Sequence, residues 1–246
     1  MTKLMNNIRK FSNGGIKMDT KYELTNETIT VNGHTLHQIK ALRDFGNVTK
    51  GDLGGFVESE KNLSQDGLCW VFDEAKVYRY AKVYGDAKVY GDARVCGSAK
   101  VSDHAMVFDK ANVLGYAKVC GNANVCGNGM VYGNARVYGN ANVLGYAEIG
   151  MCAHITLPND YIAIGPLGSR DGHTTVYRIL NVDKQPCSSD LRIQCGCFNG
   201  TPDEFFAKVN KTYKEGSIYH TQYTTIVKPM VDAMRQTSIE NITDRG

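Results

Sequence analysis

From residue 71 to 155 an apolar residue recurs every sixth position with no insertion or deletion, fourteen hexads in a row. The consensus is Val-x-Gly-x-Ala-x, as in Val83-Tyr-Gly-Asp-Ala-Lys, Val137-Tyr-Gly-Asn-Ala-Asn and Val143-Leu-Gly-Tyr-Ala-Glu. The first position is Val except at Ile149, and the fifth is Ala except at Gly129. A period of six matches neither an amphipathic helix nor an alternating strand. It predicts a short β segment, a sharp corner and another short segment, with Val and Ala pointing inward. Gly at the third position, followed by Asn or Asp, supplies the backbone freedom of the corner. Three hexads then close one triangular coil. Residues i and i+18 stack about 4.8 Å apart, and fourteen hexads make a prism roughly 22 Å long.

The pattern on either side is different. Residues 29–36, Ile-Thr-Val-Asn-Gly-His-Thr-Leu, alternate around an Asn32-Gly33 turn, which predicts a β hairpin. Residues 51–67 are expected to form an irregular first coil that caps the open end, as repeat arrays require. Beyond residue 155 the period ends at Leu157-Pro158, and strands are expected at 161–164, 174–179 and Leu191–Cys195. Thr201-Pro-Asp-Glu204 is a capping box with Pro at the first helical position; it opens a helix through about residue 213. A second helix is expected over about 221–234. The division predicted is a flexible leader (1–17, with Met18 as an alternative start), an N-terminal β hairpin and cap (18–67), the repeat prism (68–156) and a C-terminal α+β domain (157–246).

Hexads of this kind resemble those of the hexapeptide-repeat left-handed β-helix of acyltransferases; the left hand comes from that resemblance alone. The layout also resembles phage and prophage hexapeptide-repeat proteins of unknown function, often labelled only as transferases or polymer-forming proteins. The matching stretches are Tyr22-Glu-Leu-Thr, Leu42-Arg-Asp-Phe-Gly, Gly51-Asp-Leu-Gly-Gly-Phe-Val-Glu-Ser-Glu-Lys-Asn-Leu-Ser, Ile164-Gly-Pro-Leu-Gly-Ser-Arg and Cys195-Gly-Cys-Phe-Asn-Gly-Thr. This resemblance implies a viral protein acting in the cytoplasm of an infected bacterium, and no particular chemistry. The resembling enzymes are typically homotrimers.

Composition narrows the classes. With 42% hydrophobic residues and five prolines the chain is expected to fold, and a formal charge of +3 does not demand nucleic acid. No stretch approaches the roughly 18 apolar residues of a membrane span. Four of the eight cysteines replace Tyr, Leu or Asn inside hexads (Cys96, Cys120, Cys126, Cys152), which favours free thiols over disulfides.

Sorting outward positions by eighteens gives candidate surfaces. Phe72, Tyr90, Phe108, Cys126 and Leu144 form an apolar column suited to an oligomer interface, and Tyr78, Cys96, Leu114 and Tyr132 form a parallel one. Lys82, Lys100, Lys118 and Arg136, with His154 next, form a basic column suited to an anionic partner. An acidic protein surface fits that column better than nucleic acid, whose phosphates lie farther apart along a strand than neighbouring rungs. His104, with Asp86 one rung away, or else His154 is the candidate general base of the acyltransferase alternative. In the tail, Ser169, Arg170, Asp171 and His173 form a Gly-rich loop able to hold an anion, without the Lys-Ser/Thr ending of a nucleotide loop. Cys195 and Cys197, read as two apart on one strand, offer weak metal spacing with His220 or Cys187, and a nucleophilic cysteine with His173 or His220 is a further alternative. No cofactor is expected. The leading reading is a non-catalytic interaction scaffold that binds and occludes or sequesters a host factor, such as a defence protein. The alternatives are a coenzyme A-dependent acyltransferase and a structural virion component.

Overall fold

The computed structural model describes residues 20–179 and 191–243, with side chains to residue 236. The proposed leader and Cys187 lie outside the described residues. The hexads fold as a parallel β-solenoid. Fifteen two-residue strands, β4–β18, run from Trp70–Val71 to His154–Ile155, one per corner-to-corner side. Each stacks on its equivalent 18 residues away, as in Lys100 on Lys118 and Val101 on Val119. Two of the three faces are five-stranded sheets of these short strands. Inside, the first-position Val and fifth-position Ala form one continuous core with essentially no exposed area.

The corners explain the third position. Its φ is positive at Gly85, Gly97, Gly121 and most other hexads, and also at Asp73, Asp103 and Asp109. These aspartates occupy the left-handed region, which short polar side chains tolerate. Each also places a carboxylate oxygen on the amide of the next coil's corner: Gly91, Gly121 and Gly127 donate at 2.9–3.0 Å. Fourth-position amides ladder as expected, Asn122 Nδ2 donating to Asn140 Oδ1 at 3.2 Å.

The third face continues into the N-terminal hairpin. β1 (Tyr22–Val31) and β2 (His34–Ala41) are antiparallel around Asn32 and Gly33, both at positive φ. β2 pairs with β3 (Leu53–Val57), which then pairs in parallel with Lys76–Val77. Residues 53–71 are thus the first coil, slightly too long: Val57 stacks on Val77 and Leu63 on Val83, each 20 residues on, whereas Trp70 stacks on Lys88. The two extra residues lie between Leu63 and Trp70. Trp70 occupies an outward position, yet it is buried under the hairpin by Tyr22 and Phe45.

The tail is an antiparallel sheet, β19 (Tyr161–Leu167), β20 (Gly172–Arg178), β21 (Leu191–Cys195) and β22 (Phe198–Gly200). One face meets the last coils, through Tyr177 in the solenoid core, the Glu148 amide on Thr175 Oγ1 (3.1 Å) and Tyr132 OH on Gln194 Oε1 (2.9 Å). The other face packs a second core against α1 (Pro202–Thr212) and the helical run of α2 (Ile218–Gln222), a π segment at 223–227 and α3 (Lys228–Thr243). The capping box is formed: Thr201 Oγ1 accepts from the Glu204 amide and Glu204 Oε2 from that of Thr201. The second helical run starts three residues before the expected 221 and continues past the expected 234. β22 was not anticipated. Gly196, at φ +56°, turns the chain back so that Cys195 faces Phe198 across a hairpin.

Candidate functional site

The basic column forms. Lys82, Lys100, Lys118, Arg136 and His154 lie on consecutive strands of one face, and the four cations are exposed. Among the described residues none of those four has an ion-pair partner. His154 is different: it is half-buried, its ring edge-on to Tyr138 at 4.5 Å. Burial first, then the neighbouring Arg136, hold its pKa below the usual histidine value, so it is neutral near pH 7. The row of fixed charge therefore ends at Arg136.

The two apolar columns have different surroundings. Along one face Phe72 meets Tyr90 edge-on at 6.3 Å, Tyr90 stacks parallel on Phe108 at 5.0 Å, and Leu144 remains half-exposed at the far end. The Tyr78 column is not the open strip expected. Tyr78 is buried against Leu36 and Phe56 of the hairpin sheet, and Tyr132 is engaged by Gln194. Both chain ends fold back over that one face, which no local pattern could announce.

His104 Nδ1 and Asp86 Oδ2 do meet, 3.5 Å apart at one corner. The imidazole is two-thirds exposed. Asp86 Oδ1 also accepts from the Leu68 amide. The pair has the relative placement of a base and its orienting carboxylate, but not a substrate pocket.

The tail loop splits. His173 turns toward the solenoid and stacks on Tyr146 at 4.2 Å. Ser169 and Arg170 turn the other way and line a cavity of about 360 Å³ together with Cys195 and Cys197. Asp171, at φ +48°, sits in the turn outside that wall. Cys197 is not on a strand with Cys195 but in the turn after Gly196, and it is exposed. His220 pairs with Asn210 Oδ1 at 3.0 Å and does not reach the thiols. The metal set Cys195, Cys197 and His220 is therefore not assembled, and among the described residues no three His, Cys, Asp or Glu side chains converge. A Cys195–His173 dyad fails as well, since Cys195 faces the helices and His173 the solenoid. The seven described cysteines are free thiols. No helix among the described residues is long and apolar enough to cross a membrane.

What the geometry defines is a hexapeptide-type parallel β-solenoid closed at one end by a hairpin and at the other by an α+β unit. Residues 131–145 match a repeat family described as the YdcK beta solenoid repeat. Over 39 residues the chain is 44% identical to a protein of Escherichia coli (strain K12) named uncharacterized acetyltransferase YdcK. That match spans 16% of this chain and 12% of the relative.

Proposed function

We propose that this chain is a non-catalytic interaction protein, a solenoid scaffold that presents a row of cations to an acidic partner surface. One observation carries the reading: four basic side chains stand in register, exposed and unpaired among the described residues. In water, neighbouring charges at rung spacing repel by only about 1 kcal/mol, so the row is tolerated, but any apposed carboxylates reward it. The Phe72 column, on another face, is suited to packing copies of the chain together, a trimer being the arrangement the hexad resemblance suggests. Occlusion or sequestration of a host factor is the role that the phage resemblance would give such a surface.

The test compares wild type with a Lys82→Glu, Lys100→Glu, Lys118→Glu, Arg136→Glu variant as bait in bacterial lysate. One stoichiometric acidic protein is expected on the wild type, weakened by salt and absent from the variant. Equal recovery on both baits sinks the proposal.

A second reading, a coenzyme A-dependent acyltransferase, is favoured by the His104–Asp86 pair and by the name of the matched relative. With His104 so open, a second copy would have to complete the pocket. Saturable acetyl-coenzyme A binding that is lost in His104→Ala would move this reading ahead of the first.

A further inference from the structure

We infer that the tail cavity binds a small amphipathic carboxylate, an apolar acyl or aryl body with one anionic end. Its volume of about 360 Å³ lies within the range of small-molecule sites and is far beyond an ordinary packing defect. It opens between the β19–β20 turn, the β21–β22 turn, α1 and Tyr223 of the π segment, so it is held by four elements.

The lining sorts by chemistry. Leu167, Phe198, Phe205 and Val209 supply apolar walls. Two cations line the cavity, Arg170 on the strand turn and Lys208 on α1, while no Asp or Glu lines it. Among the described residues neither cation has an ion-pair partner. Lys208 is instead held over the Phe198 ring, its ammonium 5.3 Å from the centroid, at the edge of the apolar wall. An anion entering here meets two unneutralised donors next to a surface that rejects water.

Most of the neutral polar groups are already committed, the Thr212 hydroxyl being the exception. Ser169 Oγ and Tyr213 OH bond each other at 3.1 Å. Cys195 Sγ accepts from Thr174 Oγ1 and lies 3.8 Å from Tyr223 OH. The turn is fixed to the helices, since the Gly168 amide donates to Gln222 Oε1 at 3.0 Å. Gly168, at φ +74°, leaves room for the Tyr223 hydroxyl, which any Cβ there would strike. The site is thus preformed, and little ordering cost falls on binding. A polar or multiply charged ligand would leave these apolar walls unmatched, whereas a neutral apolar one would leave the cations unused.

The experiment titrates the full chain by calorimetry with straight-chain carboxylates from butanoate to decanoate and with the matching alcohols. Saturable binding of the carboxylates is expected, with the alcohols at least about tenfold weaker, the worth of a charge-assisted hydrogen bond. Lys208→Gln and Arg170→Gln, both at the cavity rim, are each expected to weaken the carboxylate about tenfold and leave the alcohol unchanged. Cys197, exposed at the cavity mouth, reports location independently: bound carboxylate should slow its alkylation by iodoacetamide. Cys152, exposed outside the cavity, should be unaffected. Absence of saturable binding, equal affinity for alcohol and carboxylate, or an unprotected Cys197 would each overturn the assignment.

Discussion

Excising one complete coil, residues 101–118, should leave a folded protein with a cooperative melt, whereas deleting Asn122 alone should abolish cooperative folding. The difference follows from register. Every rung rests on the one 18 residues away, so after the excision Val83 meets Val119 where it met Val101, and Lys100 meets Arg136 where it met Lys118. The hairpin contacts at Trp70 and Tyr78 and the tail contacts at Tyr132 and Glu148 lie outside the excised coil. The solenoid loses one repeat's share of a roughly additive stability. Without Asn122, five residues must span a side built for six. Ala123 and Val125, both fully buried, cannot then both point inward. Expelling Val costs about 1.5–3 kcal/mol. The Asn122 amide also loses its bond to the Gly139 carbonyl, and its side chain the ladder to Asn140, each about 1 kcal/mol. The displaced wall then misaligns with the coil below, and the sum is a large part of the 5–15 kcal/mol typical of a domain. Far-UV circular dichroism and thermal melts of the two deletions decide it. A deletion of Asn122 that melts within about 2 °C of wild type, a shift worth under 1 kcal/mol, would show that five residues can close a side.

Why the solenoid interior was legible, and much of the rest was not, comes down to distance along the chain. Val and Ala repeat because each hexad meets the same local demand, and the Asn32-Gly33 turn and the Thr201 capping box are likewise self-contained. The left-handed corner was legible as Gly, but the same φ at Arg79 and Met151 carries no residue signature. Whether an outward column is exposed depends on what folds over it. Leu36 covers Tyr78 from 42 positions away, and Gln194 reaches Tyr132 from 62. The cavity required the same kind of closure. Ser169 and Arg170 were visible as a polar loop and Cys195 and Cys197 as a pair, but not that α1 would bring Lys208 to them. His173 adjoins that loop in sequence but belongs to β20, where alternation sends it to the face opposite Thr174 and Cys195.

Lys21→Met should cost about 3 kcal/mol, a larger effect than an exposed lysine could have. The residue stands just before β1, over the irregular first coil, where the last carbonyls have no further coil above them. Lys21 is fully buried, and its ammonium donates to the carbonyls of Cys69 at 2.9 Å, Asp66 at 3.3 Å and Gly67 at 3.5 Å. Cys69 Sγ lies 3.2 Å away and the Phe45 ring centroid 5.2 Å. Three donors on one nitrogen thus take the place of the missing rung. Met fills nearly the same space and supplies no donor, leaving carbonyls unpaired at about 1–3 kcal/mol each, partly offset because no charge is buried. Burial pushes the Lys21 pKa below its ordinary 10.5. The unfolded chain therefore binds this proton more tightly, and between the lowered value and 10.5 the wild type gains stability as pH rises. Met has no such proton, so the gap between the two proteins should widen across that window. Urea midpoints for both proteins at neutral pH and again near pH 10 measure it; a gap that stays constant, or a variant as stable as wild type, would mean that the amine reaches water and does not close the solenoid.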